Sequence, residues 1–302
     1  MRSVIISVLM PVYNAQKYIK VALESILNQT FTDFEFIIIN DGSSDESLKI
    51  IEGYALQDAR IKVVNRENKG LIKTLNEGLK LAKGKYIARM DADDISLPLR
   101  FERQLQYLEE HSDCIAVGTF ATLIDSDGDV IGPMGSLQRH SEIDDAHLNG
   151  KGGAIVHPSA MFRRKVVLEA GGYLDDFAYA EDLELWLRLA EVGKLANIPE
   201  ALFLYRQHLG SIGYTKRLSQ FESAKKAVYV ACKRRSIDFS SSAFYAETMT
   251  TPELIDIYIK WGWWALNGKN IPVARKYAKK SLLITPFNWQ VWKLMACCIR
   301  GY

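Results

Sequence analysis

The stretch Gly84-Lys85-Tyr86-Ile87-Ala88-Arg89-Met90-Asp91-Ala92-Asp93-Asp94-Ile95 decides how this chain is interpreted. Its first half, Tyr86 to Met90, predicts a short buried strand, because aromatic, β-branched and apolar residues follow a glycine turn signal. The strand ends abruptly in three carboxylates. Like charges this close repel one another, so the pattern indicates a hard divalent cation or a cation-bound phosphate. The alternative is a solvated acidic turn that caps a helix over Pro98 to Glu110.

The residues before this stretch predict strands that alternate with helices. Short apolar runs indicate strands over 5–10, 34–39 and 61–64, and helical periodicity covers 17–27 and 71–81. Short connections between such elements are typical of a parallel α/β sheet with right-handed crossovers. In these sheets ligands bind outside the carboxyl ends of the strands.

Polar loops follow three of the predicted strands. Pro11 to Asn14 follow the first strand, Asp41 the second, and Asp91 to Asp94 the fourth. Three converging loops, two of them acidic, describe a site for a ribonucleotide with a metal. Carboxylates accept hydrogen bonds from a base or ribose, an aromatic ring such as Tyr13 stacks on a base, and a metal screens a diphosphate. The glycine-rich fingerprints of dinucleotide and ATP sites are absent from the sequence.

Four motifs give residues 1 to about 215 a resemblance to the family 2 glycosyltransferases of the GT-A fold. The motifs are Ser7–Asn14 (SVLMPVYN), Asn40–Asp45 (NDGSSD), Asp91–Asp94 (DADD), and Ala180–Asp182 (AED) with Leu185–Arg188 (LWLR). The resemblance implies a Rossmann-like, mixed but mostly parallel sheet flanked by helices. It also implies a cytoplasmic, metal-dependent, inverting enzyme that uses a nucleotide sugar, most often a UDP-sugar.

Carried over residue by residue, the resemblance assigns a donor site, a metal site and a catalytic base. The nucleotide-sugar residues are Pro11, Tyr13, Asn14, Asp41, Lys69, Asp91 and Arg206. The ligands of a divalent metal, Mn²⁺ or Mg²⁺, are Asp93, Asp91 and His208. The catalytic base, which takes the proton of the acceptor hydroxyl, is Asp182, and the acceptor contacts are Glu181 and His157.

Several of these residues have a structural alternative. Asp94 is interpreted as the cap of the helix that follows Leu97-Pro98 rather than as a ligand. The helix dipole alone favours a carboxylate at the start of a helix over Leu183 to Glu191, next to Glu181 and Asp182. A lone histidine before a proline, such as His157, is more often structural than a substrate contact.

The middle of the chain predicts a hairpin and a loop. Cys114 to Val130 read as strand, turn and strand, with the turn at Asp125 to Asp129. That acidic turn resembles a calcium loop but lacks the spaced glutamate of an EF-hand, so a hairpin turn is predicted. Residues 132–157, rich in Gly, His and Asp, predict a mobile loop near the acceptor, and Ala201 to Leu204 predict a strand.

A length of 302 residues fits one large or two modest domains, and the composition is that of a globular protein. We expect a catalytic domain over 1–215, with a nucleotide-binding half (1–95) and an acceptor half (96–215), and a helical extension over 216–302. The apolar start, Val4 to Met10, is too short for a membrane span and lacks a cleavage-site pattern, so neither a signal peptide nor a transmembrane helix is expected. Four cysteines without metal spacing or a disulfide framework suit a reducing cytoplasm.

The extension differs from the body in charge and in aromatic content. Residues 216–302 hold 15 Lys and Arg against 5 Asp and Glu, whereas residues 1–215 hold 23 against 31. Five of the six tryptophans also lie in the extension. Aromatic rings beside cations suit an anionic membrane surface, with peripheral attachment at the inner face of the cell membrane. The alternative is a subdomain that packs its aromatic rings internally, and no nucleic-acid partner is expected.

These observations predict a glycosyltransferase that adds a sugar to a glycan or lipid-linked glycan of a surface polysaccharide. One rival is a nucleotidyltransferase that makes nucleotide sugars, although the first strand leads to Pro-Val-Tyr-Asn rather than to a glycine-rich triphosphate loop. A second rival is a catalytically silent module that binds carbohydrate or nucleic acid. The set of Asp41, Asp93 and Asp182 argues against it, since unpaired buried carboxylates lower stability.

Overall fold

The computed structural model describes residues 4–239 and 252–301. The chain forms two compact units that are interleaved in sequence. Unit 1 comprises Met1–Phe120, Gly135–Phe203 and Ser219–Ala246, and unit 2 comprises Ala121–Met134, Leu204–Leu218 and Glu247–Tyr302. The sequence-based division, in contrast, has a single boundary between residues 215 and 216.

The first part of unit 1 alternates strands and helices, as predicted. Its elements are β1 (Ile6–Val12), α1 (Ile19–Leu27), β2 (Phe34–Asp41), α2 (Ser47–Ala55), β3 (Ile61–Arg66), α3 (Leu71–Leu81) and β4 (Tyr86–Arg89). β1 pairs in parallel with β2 and with β4, and β2 pairs in parallel with β3. Every residue of β1, β2 and β4 is buried, which explains their continuous apolar runs.

The sheet then becomes mixed. The next elements are β5 (Ile95–Ser96), α4 (Arg100–Glu110), β6 (Cys114–Ile124), β7 (Val130–Met134), α5 (His140–Leu148), β8 (Met161–Arg163), α6 (Arg164–Glu169), α7 (Glu181–Leu189) and β9 (Lys194–Arg206). β8 lies antiparallel between β4 and β6. The strand order is β3-β2-β1-β4-β8-β6-β9-β5, with β7 paired to β6 alone. The predicted fold class, a mostly parallel mixed sheet flanked by helices, is confirmed.

The predicted loop over residues 132–157 is wrong. The segment contains the end of β7, the helix α5 and a short 3₁₀ turn at Gly152–Ala154. Helix α5 buries Ile143, Ala146 and His147, which are spaced as one helical face. Its polar composition hid this periodicity, because only two apolar side chains carry it. The strand predicted from Ala201 is also longer, since β9 begins at Lys194.

Helix α9 (Arg217–Arg235) follows the short helix α8 (Ile212–Thr215). Within unit 1, Ala224, Ala227, Val228, Ala231 and Cys232 of α9 pack in one apolar cluster with Phe177, Leu183 and Leu187. Arg234 and Arg235 form ion pairs with Glu191, and Arg235 also pairs with Asp144. Part of the basic charge that the sequence suggested for an anionic partner is therefore neutralised inside unit 1.

Three helices, α10 (Leu254–Asn267), α11 (Ile271–Ile284) and α12 (Trp289–Arg300), make up most of unit 2. Trp261 is 2% exposed, and its Nε1 donates a hydrogen bond of 2.9 Å to the hydroxyl of Tyr214. Its ring meets that of Tyr277 edge-on at 5.2 Å. The alternative of internal packing thus holds for Trp261, whereas Trp289 and Trp292 are exposed. Among residues 4–239 and 252–301, no helix has the length and apolar character that crossing a bilayer requires.

The predicted hairpin turn between β6 and β7 is confirmed, and a lysine ammonium lies among its acids. Lys276 Nζ lies 2.7, 2.8 and 2.7 Å from carboxylate oxygens of Asp125, Asp127 and Asp129. The Tyr277 hydroxyl donates to the same Asp125 carboxylate at 2.6 Å. Burial alone would raise the pKa of Asp125, but the hydrogen bonds from Lys276 and Tyr277 lower it below its usual range. The lysine ammonium thus takes the position among the aspartates that the calcium ion would take in a calcium loop.

We expect Lys276→Met to destabilise unit 2. Removal of the ammonium leaves the fully buried Asp125 and two neighbouring carboxylates without their counter-ion, a loss of roughly 3 kcal/mol in the free energy of unfolding. Thermal denaturation measures it, with the exposed Lys279→Met as a control of equal charge change. Equal melting temperatures for the two variants would contradict this account.

Candidate active site

The loops after β1 and β2 are joined by hydrogen bonds at the carboxyl edge of the sheet. Asn14 has a left-handed backbone (φ 50°). Its Oδ1 accepts from the Ser44 amide at 2.8 Å, and its own amide donates to Ser43 Oγ at 3.0 Å. Pro11 is buried at the end of β1, while Tyr13 is 57% exposed beside these loops. Two of the predicted motifs are therefore adjacent, with an aromatic ring open to a planar ligand.

Asp41 organises a third loop, after β3. One of its carboxylate oxygens, Oδ1, accepts from the Lys69 amide at 2.7 Å and from the Arg66 guanidinium, and Oδ2 accepts from the Gly70 amide at 2.9 Å. A carboxylate oxygen offers about two lone pairs, so Oδ2 can still accept from a ligand. The Lys69 side chain itself is exposed. The predicted contacts of Asp41 and Lys69 with a nucleotide remain predictions.

Gly42 permits the close approach of these loops. Its φ is 73°, and a Cβ built there would lie 2.6 Å from the backbone nitrogen of Asn68. Any other L-residue would meet both the backbone strain of a left-handed conformation and a clash with main-chain atoms. The glycine of the NDGSSD motif is therefore required by the loop geometry.

The acids after β4 form the one metal-type cluster among the described residues. Asp91, Asp93 and Asp94 each offer an oxygen, and these atoms lie within 4.8 Å of one another. Three carboxylate oxygens are the donor set that Mg²⁺ and Mn²⁺ favour, so the residues present fit a divalent cation.

The sequence-based interpretation of Asp94 as a helix cap is wrong. Helix α4 begins at Arg100, has Leu99 at its N-cap and receives no side-chain cap hydrogen bond. Asp94 is 1% exposed and acts electrostatically on the buried Arg100. Burial lowers the pKa of Arg100 to about 9, and the Asp94 charge opposes that shift.

Arg89, which the sequence reasoning did not single out, lies behind this cluster. It is the last residue of β4 and is 1% exposed, and its Nη2 donates to Asp91 Oδ1 at 2.7 Å. Its charge also acts on Tyr173 and Glu181. The available signal was its place as the one charged residue in the otherwise apolar run 86–90. A buried cation in such a strand requires an anionic partner.

Glu181 and Asp182 begin helix α7 and belong to the same electrostatic group. Burial raises the pKa of Glu181 to about 7, and the Asp182 charge adds to the shift. Burial likewise raises the pKa of Asp182 to about 6, although its oxygen accepts from the Leu183 amide at 2.7 Å. In both cases the Arg89 charge lowers the pKa and the Asp91 charge raises it. The predicted base and a predicted metal ligand therefore act on each other within unit 1.

His157 lies beneath this group in the core. It is 7% exposed, and its Nε2 is 2.7 Å from the Tyr173 hydroxyl. Its ring contacts that of the fully buried Trp186 at a centroid distance of 5.9 Å. Burial holds the pKa of His157 well below its ordinary value. These contacts support the structural alternative, and a contact between His157 and the acceptor remains a prediction.

The LWLR motif contributes Arg188, which connects helix α7 to a neighbouring turn. Arg188 pairs with Glu184, and its Nη2 donates to the Gly172 carbonyl at 2.6 Å. Tyr173 directly follows Gly172 in this turn, and its carbonyl accepts a hydrogen bond from Asn76 Nδ2 at 2.7 Å. The motif therefore ties helix α7 to the turn that carries a neighbour of Arg89.

Arg206 and His208 lie in unit 2. Arg206 Nη1 donates to the Asp125 carbonyl at 3.0 Å, and His208 Nδ1 accepts from the Gly210 amide at 3.2 Å. Their predicted roles at a diphosphate and a metal remain predictions.

The fold agrees with comparisons to known proteins. Residues 7–171 match the family described as glycosyl transferase family 2. The chain therefore belongs to that family. Among its relatives is the O-antigen biosynthesis glycosyltransferase WbnJ of Escherichia coli, which is 37% identical over 80% of this chain and 94% of its own length.

Solved structures share the fold at low sequence identity. TarS of S. aureus in complex with UDP-GlcNAc is 18% identical, with a TM-score of 0.62 over 99% of this chain and 89% of that one. A mannosyltransferase from Pyrobaculum calidifontis, in complex with GDP-Man and Mn²⁺, is 17% identical, with a TM-score of 0.58 over 98% and 86%. These likenesses confirm the GT-A-type architecture.

The raised pKa of Glu181 predicts a pH-dependent gain in stability for Glu181→Gln. The folded protein binds this proton up to pH about 7, whereas an unfolded glutamate releases it near its usual 4.5. Stability therefore falls as pH rises through this window, by on the order of 2 kcal/mol. The variant should melt at a higher temperature than wild type at pH 8 and close to it at pH 4, and a constant difference across pH would refute the assignment.

We expect Gly42→Ala to lower stability, because the loop after β2 must move away from Asn68. The loss in unfolding free energy should exceed 2 kcal/mol, of which the left-handed backbone accounts for about 1 kcal/mol. Gly171→Ala is the matched control, since Gly171 has φ 93° but nothing within 4 Å of its Cβ position. Chemical denaturation of both variants measures the difference, and equal losses would show that the close approach is unimportant.

Proposed function

We propose that this protein is an inverting glycosyltransferase that moves a sugar from a nucleotide-sugar donor to a glycan or lipid-linked glycan. The family resemblance favours a UDP-sugar as the donor. The observation that carries the proposal is the cluster of Asp91, Asp93 and Asp94 after β4, whose oxygens lie within 4.8 Å of one another and which Arg89 contacts by a hydrogen bond of 2.7 Å to Asp91. The charges of Arg89 and Asp91 also act on Glu181 and Asp182 at the start of α7. Membership of family 2 supports it. The name of the relative WbnJ, an O-antigen biosynthesis glycosyltransferase, supports a surface polysaccharide as the product.

The donor nucleotide occupies the loops after β1, β2 and β3. Tyr13 stacks on the base, and Asp41 accepts a hydrogen bond from it through the lone-pair capacity of Oδ2. Pro11 and Asn14 line the nucleotide site, and Lys69 lies near the phosphates. Arg206 contacts the diphosphate, as the family resemblance implies.

Asp91 and Asp93 would hold Mn²⁺ or Mg²⁺, and the family resemblance assigns His208 as a further ligand. When bound, the metal supplies positive charge for the diphosphate as negative charge develops on it. Arg89 keeps the Asp91 carboxylate oriented by its hydrogen bond of 2.7 Å.

Asp182 acts as the general base. Its carboxylate takes the proton of the acceptor hydroxyl as that oxygen forms a bond to the anomeric carbon. The bond between the anomeric carbon and the phosphate oxygen breaks on the opposite face, and the nucleoside diphosphate leaves with the electron pair. A pKa of about 6 leaves Asp182 largely ionised near neutral pH while keeping it basic enough to accept a proton. Glu181 and His157 orient the acceptor, as the family resemblance implies.

The basic, aromatic extension supports peripheral attachment to an anionic membrane surface on the cytoplasmic side, where a lipid-linked acceptor would lie. The exposed Trp289 and Trp292 favour this partner over nucleic acid.

The test is a panel of nucleotide sugars with Mn²⁺ or Mg²⁺, with release of the nucleoside diphosphate as the measured product. Asp182→Asn should lower turnover by roughly 10²–10⁴-fold while donor affinity is retained. Asp93→Asn should remove the metal dependence of nucleotide binding, which calorimetry measures without turnover. The exposed Asp33→Asn serves as the charge control and should behave as wild type.

Other outcomes identify the rivals. Formation of a nucleotide sugar and pyrophosphate from a nucleoside triphosphate and a sugar phosphate would replace the proposal with a nucleotidyltransferase. Binding of a glycan without turnover of any donor, unchanged in Asp182→Asn, would indicate a silent binding module.

A further inference from the structure

The last two helices of unit 2 expose a row of large apolar side chains. The side chains lie at the end of α11, in the following loop and along α12, and we name them the α11–α12 rim: Leu283 (87% exposed), Phe287 (98%), Trp289 (67%), Trp292 (55%) and Ile299 (70%). Single exposed apolar residues are ordinary, but a contiguous group marks an interaction surface.

Helix α12 is apolar on two faces. Val291, Leu294 and Cys298 are buried in unit 2. Trp289, Trp292 and Ile299, at spacings of three and seven residues, form a second stripe that faces away from that core. A helix whose outer face met only water would carry polar residues there, so the second stripe indicates a partner.

The rim is held in a defined shape. Trp292 Nε1 donates to the Pro286 carbonyl at 2.6 Å, which fixes its ring over the loop that carries Phe287. The Asn288 side chain caps α12 by accepting from the Gln290 amide. These two contacts hold Trp292 and the start of α12 in place before any partner binds, which lowers the conformational entropy that this part of the rim loses on docking.

Positive charge surrounds the rim. Residues 257–302 contain eight Lys and Arg and no Asp or Glu. Lys276 is neutralised by the aspartates of the hairpin turn, whereas Lys279, Lys293 and Arg300 are exposed. Lys293 Nζ lies 5.8 Å from the centroid of the Trp289 ring. Cations beside tryptophan rings match the depth at which lipid phosphates and acyl chains meet.

We infer that the α11–α12 rim is the surface by which this protein docks on an anionic lipid bilayer. Its apolar side chains enter the headgroup region, and Lys293 and Arg300 meet lipid phosphates. A symmetric dimer through the same surface would bring Lys293 and Arg300 of both copies into one interface, for which residues 257–302 supply no carboxylate. A nucleic acid would leave Leu283, Phe287 and Ile299 without an apolar partner. The inference rests on the proposed function only in that a lipid-linked acceptor gives the membrane its role.

The test is flotation of the full chain with vesicles of phosphatidylcholine alone, or with roughly one third phosphatidylglycerol. Wild type should float with the anionic vesicles, and the double variant F287E/I299E should bind them at least tenfold more weakly. L56E/V192E is the matched control, because Leu56 and Val192 of unit 1 are 90% and 64% exposed. It should bind as wild type does.

A second pair of variants tests the charge. K293Q/R300Q should weaken binding roughly fivefold for each cation removed and should reduce its dependence on salt. K20Q/K80Q, at two exposed lysines of unit 1, removes the same charge and should leave binding unchanged. Circular dichroism confirms that each variant is folded.

Several results would overturn the inference. These are failure of wild type to float with anionic vesicles, equal binding of the rim variants and their controls, or a dimer in solution that F287E/I299E abolishes. Capture of RNA that the same variant abolishes, without flotation, would equally overturn it. Turnover of donor with a water-soluble acceptor, measured without vesicles, tests the proposed function separately. Failure of the wild-type protein to bind anionic vesicles, while it still turns over donor, refutes the rim and leaves the proposed function intact.

Discussion

The acidic site depends on the attraction between the buried guanidinium of Arg89 and the carboxylates around it. Arg89 lies at the end of β4, 1% exposed, and donates to Asp91, while its charge reaches Tyr173, Glu181 and Asp182. Carboxylates gathered in a partly buried space would otherwise become protonated or move apart, because burial and mutual repulsion both disfavour their charged forms. A fixed internal cation lowers that repulsion. The charge of Arg89 therefore stabilises the ionised forms of acids from two separate parts of the chain, after β4 and at the start of α7.

Around this centre, hydrogen bonds from backbone and side chains remove freedom from the loops. Asn14 joins the loops after β1 and β2, and Asp41 accepts from two amides of the loop after β3 and from Arg66 at the end of that strand. Arg188 and Asn76 fix the turn that carries Tyr173 from two different helices. Loops at the carboxyl edge of a sheet are usually its most mobile parts, and here each is held at its tip. Such preorganisation is what a site needs if its charges are to act on a transition state rather than reorganise with it.

The basic extension separates into charges with different roles. Arg234 and Arg235 of α9 pair with acids of unit 1, and Lys276 pairs with the hairpin turn within unit 2. Exposed cations remain on α9, at Lys225 and Lys233, as well as on α11 and α12, where Lys293 lies beside the ring of Trp289. Net charge summed over a segment is therefore a poor guide to where a partner binds, because paired cations contribute little to the outer potential. The burial of Trp261 and the exposure of Trp289 show the same division among the aromatic side chains.

By itself the sequence determined the alternation of strands and helices, the parallel half of the sheet, the hairpin at Asp125 to Asp129 and the acids at the strand ends. Those features arise from periodicity and turn chemistry, which are local along the chain. It did not reveal helix α5, whose apolar face is carried by two side chains, nor the place of Asp94 in the acidic cluster. Only the tertiary structure shows that Arg89 lies near acids from distant segments of the chain. It alone also shows that the Lys276 ammonium lies where a calcium ion would bind in the hairpin turn. The physical reason is that the partner of a buried charge is set by which distant residue the fold places next to it. Local sequence patterns carry no information about such contacts.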